Sequence, residues 1–186
     1  HTLGYKRMVT IAENYSYPHA QLGGFMTEYC RAGGRVTNKL WVGVGQSDFS
    51  SIIPMIPDDI DAIFVALGGT DVVHFPQQYE STGKQKPLVG GAITADQTVL
   101  SDDSILGDYL IGVISCSPTA DDDPSPVWQE FVRAYRKRFP DGLNFPSYFA
   151  LDYYLNTKAA LLALQQVKGD LQNGQQRFQA AINHLQ

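Results

Sequence analysis

Residues 7–44 read RMVTIAENYSYPHAQLGGFMTEYCRAGGRVTNKLWVGV, and the order of signals in this stretch decides the fold. Arg7–Ala12 and Val36–Val44 are rich in apolar and β-branched residues, which suits strands buried on both faces. Between them Pro18–Ala32 has the composition of a helix. Ser16 is placed to cap its start, and Gly33-Gly34 to end it. Strand, helix, strand in that order predicts a parallel pair joined by a right-handed crossover.

The alternation continues outward. Ala62–Leu67, Pro87–Gly91 and Leu110–Ser115 are further strand candidates. Ser51–Ile56 reads as a short helix that ends near Pro57. Thr70–Ser81 reads as a longer one, capped by Thr70, stopped by Gly83 and kinked at Pro76. A weak helical turn follows Ala95. The expected fold is therefore α/β, a Rossmann-like parallel sheet lobe over residues 1–116. Residues 117–126 then form a polar connector, including three prolines and Asp121–Asp123. After it come only helical patterns, at Val127–Phe139, Ser147–Val167 and about 173–186. The middle one carries Tyr148, Leu151, Leu155, Ala159 and Leu162 on one stripe. Helices of this kind need a sheet to cover, and none follows residue 115. Residues 127–186 are accordingly expected to belong to a second lobe whose strands lie outside this sequence, both ends of which read as cuts in a longer chain.

Composition narrows the function. The chain has 186 residues, 44% hydrophobic and 18% charged, with a net charge of −5. No basic stripe exists to meet phosphates, which argues against nucleic acid. The basic run Arg133–Arg138 reads as the solvated face of a helix. No apolar run approaches the roughly 20 residues that span a bilayer. Cys30 and Cys116 match no metal spacing, and two buried free thiols are expected, with a disulfide left open.

Motifs for chemistry are missing. Gly43-x-Gly45 has Asp48 where a dinucleotide loop needs its third glycine, and it lies in or at the end of a strand rather than on a strand-to-helix turn. There is no phosphate loop and no nucleophile elbow. His19 and His74 fall on expected helices and read as exposed or structural. Asp58, Asp59 and Asp61 precede a strand and read as a turn. No enzyme, no cofactor and no metal is implied. What stands out is the residues that follow each strand's carboxyl end, where open α/β sheets take ligands. They are Glu13-Asn14-Tyr15-Ser16-Tyr17, Gly68-Gly69-Thr70-Asp71 and Gly91-Ala92-Ile93-Thr94. Aromatic faces, hydroxyls and open backbone amides on one rim suit a small ligand. The plain alternative is that Tyr15 and Tyr17 pack a loop.

These residues resemble a known family. Gly4-Tyr5-Lys6-Arg7-x-Val9-x-Ile11, a loop with Tyr17, a long helix and Ala32-Gly33-Gly34 are similar to the second lobe of type I periplasmic binding proteins, in the leucine/amide-binding branch. Asp48-Phe49-Ser50-Ser51 with Ile52 and Ile56, then Asp61-Ala62-Ile63-Phe64, agrees in order, as does Gly107–Ser115, which resembles the strand leading to the hinge. Pro126–Phe139 and Pro146-Ser147-Tyr148 with Tyr153 are similar to first-lobe helices that follow the crossover.

The resemblance implies two lobes that close over a small organic acid or amino-acid-like ligand. It implies delivery to an ABC transporter membrane permease, in the periplasm or from an extracellular lipid anchor. It carries ligand contacts onto Tyr17, Thr70, Ala92 and Tyr148, beside Tyr15 and Asp71 from the rim reading. At Ala92 amino-acid binders of the family carry an acid for the ligand's ammonium, and at Thr70 they often carry an aromatic. Both departures point away from an amino acid. Asp71 is the one nearby acid that could restore it, although the first turn of a helix favours a carboxylate for structural reasons. Two other classes stay open: a ligand-sensing domain of a receptor or transcription regulator with the same fold, and an enzyme on a Rossmann-like fold.

Overall fold

A computed structural model describes residues 3–101, 110–118, 120–172 and 175–185. Two compact units emerge, His1–Phe145 and Pro146–Gln186.

The first unit is built on a parallel sheet in the order β2-β1-β3-β4-β5. The strands are β1 (Arg7–Glu13), β2 (Arg35–Val42), β3 (Ala62–Ala66), β4 (Leu88–Gly90) and β5 (Ile114–Ser115). Helix α1 (Ser16–Arg31) joins β1 to β2, and α2 (Asp71–Ser81) joins β3 to β4. Period-2 alternation divides the side chains between two faces. Met8, Ala12, Ala62, Phe64 and Ala66 pack with Leu22, Phe25 and Tyr29 of α1. The Phe25 ring stacks on Phe64 at 3.9 Å, and the alanines leave room for it. Val9, Ile11, Ile63, Val65 and Leu67 instead meet Phe49, Ile53, Val72, Phe75 and Tyr79. The sheet thus carries an apolar layer on each face, as its near-continuous apolar strands require.

Several local expectations hold. Gly33 takes φ +86, and its amide bonds to Cys30 O while that of Gly34 bonds to Tyr29 O. This paired closure of a helix end needs a residue that tolerates the left-handed region. A four-residue helix, α3 (Gln97–Leu100), follows Ala95, capped by the Asp96 carboxylate on the Thr98 amide. A 3₁₀ turn at Ile53–Met55 stands within the expected 51–56. Pro76 sits inside α2, which runs on to Ser81.

Others are corrected. Tyr15, not Ser16, is the N-cap of α1, and no side chain caps that end. Thr70 caps α2 by position only, without a side-chain bond to an amide. β2 stops at Val42 and leaves Gly43 and Gly45 in a loop, with Gly45 at φ +80. β5 is confined to Ile114–Ser115, because Gly112 at φ +84 cannot extend a strand. Both cysteines are free and exposed rather than buried. Tyr29 takes the inward position two turns after Leu22, so Cys30 faces outward, and Cys116 follows the short edge strand.

The aspartates before β3 do more than mark a turn. Asp61 Oδ2 accepts the Lys6 amide at 2.7 Å and the Arg7 amide at 2.8 Å, tethering the start of β1 to that of β3. Those two bonds, in that order, hold its carboxyl below the usual aspartate range. The stabilisation is complete above the unfolded aspartate value and fades as pH falls through the lower folded one. Asp61→Asn is expected to be less stable than wild type at neutral pH, with the gap closing in acid. Urea titrations at neutral and acidic pH read the gap directly. An equal gap at both would remove Asp61 from the acid response.

Thr10, on the α1 face, is completely buried, and among the described residues its hydroxyl has no partner. An unpaired buried hydroxyl is costly, so Thr10→Val is expected to raise stability by about 1 kcal/mol. Chemical denaturation showing a loss instead would mean that the hydroxyl is bonded in solution.

Helix α4 (Pro126–Arg138) belongs to the first unit. Trp128 Nε1 reaches Asp121 O and Gln129 Nε2 reaches Asp123 O. Gln97 Nε2 of α3 bonds to the Asp121 carboxylate, so the connector is fastened at both sides. Arg136 bonds to Asn144 O at 2.7 Å and lies over the Phe145 ring. The sequence reading divides the chain near 117–126, whereas the compact units divide after Phe145.

The second unit holds α5 (Tyr148–Gln166) and α6 (Gln176–Asn183), packed through Ala163, Val167, Phe178 and Ala181. Ser147 caps α5 on the Ala150 amide at 3.1 Å. Its remaining surface is unusually apolar: Phe149, Tyr153, Tyr154, Leu155, Leu161 and Leu162 are all exposed. Among the described residues no strand follows Ser115, and no helix is long and apolar enough to cross a membrane.

Candidate functional site

All pairings in the sheet are parallel, so every carboxyl end lies along one edge. From β1 the chain crosses to β2 on one side, then returns to place β3 on the other side of β1. This reversal makes the gap between the carboxyl ends of β1 and β3 a topological switch point, where open sheets bind ligands.

Four segments line this edge. The first is the β1–α1 loop with Asn14 and Tyr15, followed by Tyr17 in the first turn of α1. The second is the β3–α2 loop with Gly68, Gly69 and Thr70, followed by Asp71 as the first residue of α2. The third is Gly91–Thr94 after β4, and the fourth is the loop after β2 with Gly45 and Gln46. A β-carbon on Gly91 would collide with the Gln21 carboxamide of α1, so glycine there allows the helix and the β4 loop to close on each other. Ser115 Oγ donates to Gly91 O, and Thr94 Oγ1 donates to Val65 O at 2.9 Å. The rim is tied down from below.

Tyr15, Tyr17, Thr70, Asp71 and Ala92 all fall on this edge of the first unit. Tyr15 is partly exposed. Burial, then the Glu13 charge, raises the Tyr15 phenol above its usual value. Tyr17 and Ala92 are half-buried, and Thr70 is exposed. Asp71 is 2% exposed, and its Oδ2 accepts the amides of Gly45 at 2.9 Å and Gln46 at 3.0 Å. Its carboxylate thus fastens the loop after β2 to the start of α2. Tyr148 opens α5 in the second unit, half-buried, with its ring edge-on to Phe149.

Two residues on the edge have a place that the sequence reading did not give them: Glu13 stands there only as the start of the first rim segment, and Gln21 is absent. Glu13, at the end of β1, is only 4% exposed and accepts the Gly68 amide at 3.1 Å. Burial raises its carboxyl above the usual glutamate range, against the lowering effect of the Gly68 amide; the Asp71 carboxylate adds to the rise. The available signal was an acid closing a strand read as buried on both faces. Gln21 lies one turn beyond Tyr17 on α1, and nothing in its local sequence marks it.

A depression lined by Pro76, Tyr79, Lys84, Lys86, Leu88 and Ile111 lies at the opposite, amino-terminal edge of β4 and β5. It is remote from the switch point. No group of ligating side chains suited to a metal ion occurs among the described residues.

Comparison with known proteins agrees with this topology. The family model described as periplasmic binding protein matches residues 1–186. A Leu/Ile/Val-binding protein homolog from Brucella melitensis is 28% identical over 153 residues, covering 80% of this chain and 39% of its own length. An ABC transporter substrate-binding protein from Sphaerobacter thermophilus superposes with a TM-score of 0.83 at 27% identity, over 99% of this chain and 50% of that one. A solute-binding protein of an ABC transporter from R. palustris, in complex with benzoate, gives a TM-score of 0.82 at 19% identity, over 97% of this chain and 48% of that one. This chain therefore spans half or less of the length of these relatives. With a parallel sheet of the same topology and a family match from end to end, the chain belongs to the periplasmic binding proteins.

Proposed function

We propose that this chain is part of an extracytoplasmic solute-binding protein, which holds a small organic acid or amino-acid-like ligand between two lobes and hands it to an ABC importer's membrane permease. The reading places the protein in the periplasm or on an extracellular lipid anchor, and gives it no catalytic step. The observation that carries it is the convergence of Tyr15, Tyr17, Thr70 and Ala92 on the switch-point edge, with no nucleophile–base pair among them. In this reading residues 1–116 are one lobe, 127–186 are helices of the other, and Tyr148 is a ligand contact contributed by those helices. The exposed apolar surface of α5 supports that assignment. Uncovered apolar area costs roughly 25 cal/mol per Å², and patches of this kind normally lie against something.

The fold itself does not choose the ligand, since relatives named for branched-chain amino acids and a structural neighbour holding benzoate share it. The choice rests on Ala92. A desolvated ammonium in a closed cleft needs a carboxylate, because an unpaired buried charge costs several kcal/mol. Ala92 offers a methyl group, and Gly90, Gly91 and Ile93 beside it carry no charge. Asp71 is engaged with the Gly45 and Gln46 amides. The ligand is thus a carboxylate or amide without a free α-ammonium, an aromatic acid being the best fit to the tyrosines. A thermal-shift screen of the intact protein against amino acids and against aromatic and aliphatic acids tests this. At a hundredfold excess over Kd a true ligand adds about 2.7 kcal/mol. Strong stabilisation by leucine or valine, with none from the acids, would overturn the assignment.

A further inference from the structure

Asn14 and His19 stand five residues apart, and their side chains meet. Imidazole Nε2 of His19 donates to Asn14 Oδ1 at 2.8 Å. The same imidazole stacks on the Trp41 indole of β2, with ring centroids 3.9 Å apart and planes inclined by 16°. Asn14 is held a second time, its amide donating to Val42 O at 2.8 Å. The stack follows from placement. His19 lies one turn before Leu22, on the face of α1 that turns to the sheet, and Trp41 packs at the margin of the same apolar layer. Bond and stack together close residues 14–19 into a loop pinned to the end of β2, with Tyr15 and Tyr17 inside its span. Among the described residues no side chain caps the start of α1. The first amides of a helix have no partner within it, and an uncapped start frays. The contacts of His19 stand where a cap would. Both His19 and Asn14 are exposed, so they add little to the core and act locally.

We propose that His19 is a positioning residue for the ligand edge: through Trp41 and Asn14 it holds in place the segment that carries Tyr15 and Tyr17. The proposal rests on the reading that this edge meets the ligand, but the fastening exists in the ligand-free protein.

The fastening is tested on the intact protein without ligand. Ring-proton shifts of His19, read by NMR, should lie upfield of an ordinary histidine and return to the ordinary value in Trp41→Leu. Protection of the Asn14 amide against hydrogen exchange should fall roughly fivefold in His19→Ala, the factor that one lost hydrogen bond of ordinary strength implies. His19→Gln, whose Nε2 comes to the same place, should recover it. The Gly34 amide, bonded to Tyr29 O at the far end of α1, should keep its protection in both His19 variants, which a general loss of stability would not allow. Ordinary His19 shifts, equal Asn14 protection in wild type and His19→Ala, or no recovery in His19→Gln would overturn the fastening. Benzoate and leucine are then titrated into the intact protein by calorimetry. Whichever binds should bind His19→Ala several-fold more weakly, with His19→Gln in between. Equal affinity in wild type and His19→Ala would overturn the positioning role. Binding of neither probe, with the fastening present, counts against the proposed function and leaves the hold of His19 on the loop in place.

Discussion

Phe75→Ala is expected to destabilise the protein by about 3–5 kcal/mol, the range for emptying a buried aromatic site. Phe75 is completely buried, edge-on to Phe49 at 5.4 Å and stacked on Tyr79 at 5.7 Å. Its ring therefore joins α2 to the segment after β2. The space cannot collapse easily, because Phe49 is independently held. Its amide bonds to Gln78 Oε1 at 2.8 Å, and Gln78 also reaches Ser47 O. Urea unfolding should show a lower midpoint with an unchanged slope. A loss below about 1 kcal/mol would mean that the two faces of the cavity close up.

Tyr17→Ala and Tyr148→Ala should each weaken capture by the intact protein by about 1–3 kcal/mol, or roughly five- to 150-fold in Kd. Each ring offers a broad apolar face with a hydroxyl, a combination suited to a small planar acid. Tyr17 lies in the first turn of α1, whose position the buried Leu22 fixes, so truncation should remove a contact without unfolding the helix. Calorimetry with a ligand identified in the thermal-shift screen reads the effect. Unchanged affinity in both variants would take the two tyrosines out of the site.

The centre of the sheet was legible because β1 and β3 are buried on both faces, and Val9–Ile11 or Ile63–Leu67 needs no partner to be recognised. The stop at Gly33-Gly34 was legible because few residues tolerate that backbone. The start of α1 was less so. A serine at position 16 reads as a cap, yet the chain enters helical geometry one residue early and leaves Tyr15 at the boundary. The edge at the strands' carboxyl ends was readable as a set of loops, since it follows from where strands end. The burial of Glu13 was not, because its partner Gly68 lies far along the chain. An acid after an apolar run has the same local signature whether it turns to water or to a backbone amide. The exposure of Cys30 has a similar origin, since a shift of one residue on a helix changes the face.

The two borders of the sheet face a hazard that its interior does not. A strand with an open side can recruit a strand from another molecule, and long flat borders seed aggregates. β2 occupies one border, with Arg35, Asn38 and Lys39 exposed and a register shift against β1 between Met8 and Thr10. Such an irregularity bends and twists a strand, and exposed cationic side chains resist stacking. β5 guards the other border by brevity, offering two residues to any intruder. With both borders closed to recruitment in these different ways, neither offers a template for growth.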